Sequence, residues 1–234
     1  MTILYVFPHP DDESFGPARG MSKQLREGHQ VHLLVLTKGE ATRARHALGL
    51  SKDEMGEVRY REMLAMAKVL GLSGMRVLDL PDGELKEIDP RVIEKVVIEE
   101  IERLRPDIIV TYPVHGNSGF HDHLVTHAVV KRGALEARER LGCPRRIAFY
   151  TLTAAEAAMT AHFKLSSSSD QEIDCLQEVD PEDIERNIRA LDCYTSYQEI
   201  IEAVGIRDML VPVIAYEFFG EGRDPALGDL CGAL

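Results

Sequence analysis

Near the amino terminus, a histidine and three acidic residues stand within a few positions of one another, in the run Pro8-His9-Pro10-Asp11-Asp12-Glu13. Pro10 favours an extended conformation at His9 and forces a turn, so that His9 and Asp12 can converge on one cation from opposite sides. Asp11 and Asp12 point in different directions. One carboxylate can therefore bind the cation while the other faces the water that attacks a substrate. The run predicts the first half of a metal-dependent hydrolase site.

A second group of histidines lies in the middle of the chain, where four of the nine histidines fall between residues 115 and 127. A third ligand from a distant part of the chain would complete a site with three protein ligands and one open position, which is the usual form of hydrolytic zinc. Taken alone, the first motif is explained equally well as a turn that Asp12 or Ser14 caps at the start of a helix. The histidine group favours the metal site.

The elements that would position these residues alternate along the chain. Short β-branched runs predict strands at residues 3–7, 30–36, 76–80, 107–111 and 147–151. Helical patterns cover residues 15–27, 53–70, 90–104 and 122–140, and a further helix opens at Asp180-Pro181. This alternation is typical of an α/β fold, Rossmann-like, with a mostly parallel sheet flanked by helices.

In such a sheet, ligands bind beyond the carboxyl ends of the strands. Chemically active side chains follow the predicted strands at that edge. The first strand is followed by the His9 motif, the second by Glu40, the third by Asp82 and the fourth by the histidine group. We therefore predict that the active site lies at the carboxyl ends of the strands.

The pattern predicts one domain over residues 1–234, with a core at about 1–151 and a C-terminal part, 152–234, that completes the pocket. Residues 152–170 have the composition of a loop or short irregular helix, and residues 173–179 alternate like an edge strand. Gly16-x-x-x-Gly20 lacks the G-x-G-x-x-G pattern at the first turn, which argues against a nicotinamide cofactor.

Composition excludes several classes of partner. Twenty-seven basic residues against 39 acidic ones give a net charge of −12, which argues against nucleic acid because phosphate binding needs a cationic surface. The four cysteines are widely spaced and form no CxxC pair, so we expect reduced thiols. The chain has no apolar stretch of membrane-span length and no signal peptide pattern. We expect a cytoplasmic protein with a small-molecule substrate, and a homo-oligomer is compatible with these features.

Several motifs together make the chain resemble the LmbE-like, or PIG-L, family of zinc-dependent N-deacetylases, over roughly residues 1–220. The matching motifs are Pro8-His9-Pro10-Asp11-Asp12-Glu13, Thr37-x-Gly39-Glu40, Arg59-x-x-Glu62, Leu80-Pro81-Asp82-Gly83, Asp122-His123 and Glu217-Phe218-Phe219. The resemblance implies removal of an N-acetyl group from an N-acetylglucosamine-type conjugate, with release of acetate.

Site roles follow from the same resemblance. It implies that His9, Asp12 and His123 bind one Zn²⁺ and that Asp11 is the general base. Substrate-binding positions are implied at Arg59 and Asp82, where relatives hold sugar hydroxyls or an attached acidic group, and at Glu40. Arg59 can also be a solvated helix arginine, and Asp82 can be a turn residue.

The chain departs from the family pattern in two places. The family's second motif is usually His-x-Asp-His, but Phe120 stands where the first histidine is expected. We expect His121 to assist the tetrahedral intermediate instead, with His115 as the alternative. The second departure is the run Cys193-Tyr194-Thr195-Ser196-Tyr197, where many relatives carry His-x-Ser-Gln; it changes the far wall of the pocket.

Two residues of the second motif have local alternatives. We expect His127 to be satisfied by a local partner rather than to bind metal. We expect Asp122 to cap its helix or to hold His121 or His123.

Two rival functions stay open. One is a metal hydrolase that acts on a different amide or ester, and the displaced histidine motif leaves room for it. The other is a catalytically silent metal- or sugar-binding module. The free carboxylate of Asp11 argues against the silent module, because a structural metal site has no use for it.

Overall fold

The computed structural model describes residues 1–159, 162 and 164–234. Within those residues, seven strands form one sheet. They are β1 (Thr2–Phe7), β2 (Gln30–Thr37), β3 (Gly74–Leu80), β4 (Ile108–Thr111), β5 (Arg146–Thr151), β6 (Cys175–Glu178) and β7 (Val213–Phe218).

The helices of the described residues lie mostly between the strands. They are α1 (Asp12–Phe15), α2 (Ala18–Arg26), α3 (Ala44–Ala47), α4 (Lys52–Leu70), α5 (Pro90–Leu104), α6 (His121–Leu141), α7 (Ala154–Ala157), α8 (Pro181–Asp192) and α9 (Gln198–Val204). Short 3-10 turns cover Leu85–Glu87, Thr195–Tyr197 and Ile206–Met209.

The strand order is β3-β2-β1-β4-β5-β7-β6. Strands β1 to β5 run parallel to one another, and β7 runs antiparallel to both β5 and β6. The chain builds β2 and β3 on one side of β1, then crosses to build β4 and β5 on the other. The gap above β1 and β4 is therefore the topological switch point, where open α/β sheets bind ligands.

Helices cover both faces of the sheet. On one face α2, α4 and α8 pack through Met21, Met66 and Leu191, and on the other α5 and α6 pack through Val97 and Val130. All five side chains are fully buried. The predicted α/β class, with a mostly parallel sheet flanked by helices, is confirmed.

Local capping signals set the helix starts. Ser51 and Glu54 form a capping box at the start of α4, and Gly71 ends that helix in the left-handed conformation. Asp89 caps α5 with Pro90 at the first helical position. The predicted starts of both helices are confirmed to within one residue.

The five predicted parallel strands are confirmed to within two residues, and the predicted edge strand at 173–179 corresponds to β6. Two differences have physical causes. The helix predicted over 15–27 is split into α1 and α2, because the chain breaks at Gly16-Pro17. Strand β7 was not predicted, although Val213, Ile214 and Tyr216 are of the β-branched and aromatic types that are common in strands.

The segment after β5 lies partly outside the described residues. Of residues 152–170, positions 160, 161 and 163 are not described, while α7 occupies Ala154–Ala157. In the part of the chain that is described, no helix has the length and apolarity needed to cross a membrane.

Candidate metal centre and active-site cavity

The loop after β1 delivers His9 and Asp12 to the carboxyl edge of the sheet. The Pro8 carbonyl accepts hydrogen bonds from the backbone N–H of Thr37 at 3.0 Å and from its hydroxyl at 2.9 Å, which ties the loop to β2. Asp12 Oδ2 accepts from the backbone N–H of His9 at 2.9 Å and closes the turn. Between them, Asp11 has a φ of 82°, which residues other than glycine rarely adopt. The turn predicted from Pro10 is therefore tight and locally strained.

Three residues that the sequence predicts as ligands come together at this edge. One ligand atom each from His9, Asp12 and His123 lies within 4.8 Å of the others. His123 Nε2 is 3.4 Å from Asp12 Oδ1, and His9 Nδ1 is 3.6 Å from Asp12 Oδ2. Two imidazoles and one carboxylate are a donor set that suits zinc. The group could hold a single divalent cation.

The second nitrogen of each imidazole is already held by the protein. His123 Nδ1 donates to the Gly116 carbonyl at 2.9 Å, which leaves Nε2 to face Asp12. His9 Nε2 donates to Asp122 at 3.1 Å and to Asp82 at 3.2 Å, which leaves Nδ1 to face Asp12. These bonds set the tautomers that metal ligation requires.

The electrostatics of the group favour a positive charge at its centre. Burial alone would lower the pKa of His9, but Asp12, Asp122 and Asp82 raise it well above its usual value. Burial alone would raise the pKa of Asp12, but His123 and His9 hold it well below its usual range. Three carboxylates beside one imidazole thus stabilise a bound cation or a proton.

A second set of potential ligands overlaps the first, namely His9, Asp82 and Asp122. The Asp122 carboxylate already accepts from the backbone N–H of Gly83 at 2.8 Å and of Leu85 at 3.2 Å. Asp122 therefore orients His9 and anchors the loop after β3. The expectation that Asp122 caps its helix or holds His121 or His123 was wrong, because the partner lies 113 positions away at the end of β1.

Asp11 and Arg59 form an ion pair beside the metal group. Arg59 Nη2 donates to Asp11 Oδ2 and to the Pro10 carbonyl, both at 2.7 Å. The guanidinium also lies 4.6 Å from the centre of the Tyr197 ring. Burial raises the pKa of the Asp11 carboxyl, while Arg59 opposes that rise. At 2% exposure, Arg59 is not the solvated helix residue that was the alternative.

Gly39 is required for this arrangement. Its φ is 65°, and a Cβ there would lie 2.9 Å from Pro10 Cδ and 3.0 Å from Arg59 Nε. The glycine therefore lets the loop after β2 approach both residues closely.

The run 193–197 holds the far wall of the site. The Tyr194 hydroxyl donates to Glu13 Oε1 at 2.6 Å, and burial raises the pKa of Glu13 to about 7. The hydroxyls of Thr195 and Ser196 donate to the Glu62 carboxylate at 2.9 and 2.8 Å. This segment thereby ties its own 3-10 turn to α1 and α4.

The start of α6 places the histidine motif differently from expectation. Phe120 lines the cavity, whereas His121, the first residue of α6, is exposed and is not among the described lining residues. His115 also lies outside that lining, with Nε2 3.4 Å from the Ser168 hydroxyl. His127 Nδ1 is 2.9 Å from the Tyr112 carbonyl, which is the local partner expected for it.

The predicted substrate residues differ in position. Asp82 and Arg59 line the cavity. Glu40 is not among the described lining residues, and its Oε1 accepts from the Asp82 backbone N–H at 2.8 Å. Glu40 therefore positions the loop that carries Asp82.

The sequence predicts no specific role for three residues near the group. The Tyr112 hydroxyl donates to Asp12 Oδ1 at 2.8 Å, and its ring stacks on His123 at 4.1 Å. Asn117 is buried and lines the cavity, with no hydrogen-bond partner for Oδ1 among the described residues. His162 also lines it. Of these three residues, only Tyr112 had a signal in the sequence, because it is an aromatic residue directly after β4.

The cavity above these residues has a volume of about 780 Å³. Such a volume is typical of a pocket for a small molecule. Its polar lining residues include His9, Asp11, Asp12, Arg59 and His123.

Comparison with known families matches residues 4–134 to the family described as PIG-L, GlcNAc-PI de-N-acetylase. The match covers more than half of the chain. The chain belongs to the PIG-L family. The resemblance inferred from the motifs is thereby confirmed.

One relative of this PIG-L chain is the 1D-myo-inositol 2-acetamido-2-deoxy-alpha-D-glucopyranoside deacetylase of Thermomonospora curvata. It is 33% identical over 151 residues, which are 56% of this chain and 51% of the relative. The chain therefore spans about half the length of that curated relative.

Solved structures share the fold of this PIG-L chain at low identity. A deacetylase–bog complex from teicoplanin biosynthesis has a TM-score of 0.69 at 16% identity and covers 93% of this chain and 97% of that one. The 4-carboxy-2-hydroxymuconate hydratase GalB of Pseudomonas putida KT2440 has a TM-score of 0.66 at 14% identity, covering 93% and 94%. The same fold thus occurs in proteins named for different reactions.

Proposed function

We propose that the chain is a zinc-dependent N-deacetylase that hydrolyses the acetamide of an N-acetylglucosamine-type conjugate to acetate and a free amine. The observation that carries the proposal is the pairing of a metal-ligand group with a separate carboxylate. His9, Asp12 and His123 converge, while Asp11 is directed to Arg59 at the edge of the same cavity. Membership in the PIG-L family and the name of the Thermomonospora curvata relative support the reaction class.

His9, Asp12 and His123 would hold the zinc ion. Bound there, zinc would act as a Lewis acid, lowering the pKa of a water molecule and polarising the acetamide carbonyl. Tyr112 supports two of these residues, because its hydroxyl donates to Asp12 and its ring stacks on the imidazole of His123.

Asp11 is the proposed general base. Its carboxylate is excluded from the three-ligand group and is held by Arg59 at 2.7 Å. Because burial raises its pKa, Asp11 accepts a proton more readily than an exposed aspartate does. Asp11 takes a proton from the attacking water and passes it to the nitrogen as the C–N bond breaks, so that the amine leaves neutral.

Unpartnered polar atoms support a hydroxyl-rich substrate. Arg59 Nε and Nη1 and Asn117 Oδ1 are buried and have no hydrogen-bond partner among the described residues. Both side chains line the cavity, as does Asp82. Buried donors and acceptors are costly when unpaired, and sugar hydroxyls can pair with both kinds. We therefore propose that Arg59, Asp82 and Asn117 bind the sugar.

A metal hydrolase of a different amide or ester is the second candidate. Phe120 favours it, since this side chain stands in the cavity where the family motif has an imidazole. A site without that donor would depend more on its other groups to stabilise an oxyanion, and the acyl group it accepts could differ.

The test uses the full chain, stripped of metal with a chelator and reloaded with Zn²⁺. We expect it to release acetate and amine in equal amounts from an N-acetylglucosaminide panel, and to lose activity when stripped again. Asp11→Ala should keep its zinc and lose turnover by about 10²–10⁴-fold, the usual contribution of a general base.

Asp53→Ala is the matched control, because Asp53 is an exposed aspartate at the start of α4. It should retain both zinc and turnover. A zinc-loaded protein that releases no acetate from any amino sugar but cleaves other amides or esters would replace the proposal with the second candidate.

A further inference from the structure

The side chains that line the cavity fall into two groups of different chemistry. One group is polar and consists of the metal group, Asp11 and Arg59; we call its part of the cavity the metal end. The other group, which we call the apolar end, consists of aliphatic and thioether side chains that the proposed reaction does not use, namely Leu152, Leu165, Ile200, Val204, Ile206 and Met209.

The apolar end is a fixed part of the fold. Leu152, Val204 and Ile206 are each less than 10% exposed and belong to the same core cluster as the sheet residues. Leu165, Ile200 and Met209 pack against that cluster. The wall is thus an extension of the core into the cavity, and its shape does not depend on exposed surface side chains.

The two ends are joined by the short helix α1. Asp12 is the first residue of α1 and Phe15 is its last. The Phe15 ring meets the Tyr197 ring edge-on at 6.4 Å, and both line the cavity. Gly16 lies so close to Tyr150 that a Cβ would be 2.7 Å from that ring. The apolar end therefore begins within one helical turn of a metal ligand.

Water and polyols are poor occupants of such a wall. Covering an apolar wall with apolar groups removes both surfaces from water and stabilises the complex. Each methylene buried in this way strengthens binding roughly fourfold. A hydroxyl-rich group placed there would lose its hydrogen bonds to water without replacement. The wall thus favours an alkyl or aryl occupant.

We propose that the substrate carries an alkyl or aryl group of several carbons, which binds at the apolar end while the amide lies at the metal end. The inference rests on the proposed function, because it assigns the amide to the metal group. The apolar group can belong to the acyl chain or to the part of the substrate that the amine remains attached to, and the experiment separates these sources.

Two substrate series, each used below its micelle concentration, test the proposal on the zinc-loaded chain. The first keeps the N-acetyl group and lengthens the glycosidic alkyl chain from methyl to octyl. The second keeps a methyl glycoside and lengthens the N-acyl chain from acetyl to octanoyl. We expect kcat/KM to rise in one series by roughly fourfold for each methylene that the wall covers. The series that rises identifies the source.

Flat or falling kcat/KM in both series, with the methyl N-acetyl compound still hydrolysed, would overturn the proposal and leave the deacetylase function standing. If no compound is hydrolysed, the deacetylase function fails. The apolar site is then tested separately, by comparing the affinities for octyl and methyl glucosaminide in calorimetry. Equal affinity for the two would then reject it.

A pair of variants ties the effect to the wall. Ile200 and Ile188 are both partly buried isoleucines against the same core cluster, but only Ile200 is among the described lining residues. Ile200→Ser should reduce the preference for the long-chain substrate several-fold, and Ile188→Ser should leave that ratio unchanged. An equal change of that ratio in both variants would show that the effect comes from a less stable fold and not from the wall.

Discussion

The guanidinium group of Arg59 donates to the carboxylate of Asp11 at 2.7 Å and lies 4.6 Å from the centre of the Tyr197 ring. The same Arg59 nitrogen also reaches the Pro10 carbonyl. Arg59 therefore fixes both the side chain of Asp11 and the backbone turn that carries it. Since Asp11 has a left-handed backbone conformation, this double contact is what keeps the proposed base in one orientation.

Replacing Arg59 by lysine tests that role. A lysine keeps the charge but lacks the planar, forked donors, so it cannot reproduce the geometry of both contacts. We expect Arg59→Lys to lower kcat by about 10–100-fold, because small displacements of a catalytic group are costly. Zinc content should stay at the wild-type level. Arg61→Lys, an exposed position on the same helix, should retain full kcat, and an undiminished kcat in Arg59→Lys would remove Arg59 from the mechanism.

Asp122→Asn tests the support of His9. Asparagine offers only one oxygen in place of the two that hold His9, Gly83 and Leu85. We expect zinc affinity to fall by about 10–100-fold, the usual cost of losing a carboxylate behind a ligand histidine. Competition against a chromophoric chelator measures it. Zinc affinity equal to that of Asp53→Asn would show that His9 needs no such support.

Gly39→Ala, compared with Gly49→Ala, separates two costs of a side chain at Gly39. One is the clash of the new Cβ with Pro10 and Arg59, and the other is the strain of a positive φ. Gly39 and Gly49 have nearly equal positive φ values of 65° and 66°, but only at Gly39 would a Cβ meet other atoms within 4 Å. Both substitutions should destabilise the fold through strain. Gly39→Ala should cost about 1–3 kcal/mol more in the free energy of unfolding, because Pro10 and Arg59 must shift. Urea unfolding of both variants gives the difference, and equal values would contradict the packing.

His121 and Phe120 can be tested together. His121 is exposed and lies outside the described cavity lining, so His121→Ala should change kcat by less than about twofold, the scale of an ordinary surface substitution. Phe120→His introduces an imidazole into the lining and should raise deacetylase turnover roughly tenfold, through an added donor to the developing negative charge. A large loss in His121→Ala would instead restore the catalytic role first inferred for that residue.

Much of the fold follows from local sequence. The parallel strands carry buried, β-branched runs, and residues such as Ser51 and Asp89 mark helix starts through bonds to their own helices. These signals operate within a few positions. The left-handed conformation of Asp11 has no such signal, and the partner that holds its side chain, Arg59 of α4, lies 48 positions away.

The grouping of His9, Asp12 and His123 was predictable from strand ends and family motifs, but their supporting contacts were not. Asp122 reaches His9, and Tyr194 reaches Glu13 across 181 positions. Such contacts depend on how loops from different strands cross the edge of the sheet. The spacing of residues in the sequence does not predict where these loops meet.

The parts of the site are synthesised in a definite order, because they lie in different parts of the chain. Strand β6 pairs, in the described part of the chain, with β7 and through Cys175 with Leu227, both of which are made later. His123, the last of the three proposed metal ligands, precedes β7 by about ninety positions, and all six residues of the apolar wall lie between them. During synthesis, all three proposed cation ligands are therefore made before any residue of the apolar wall.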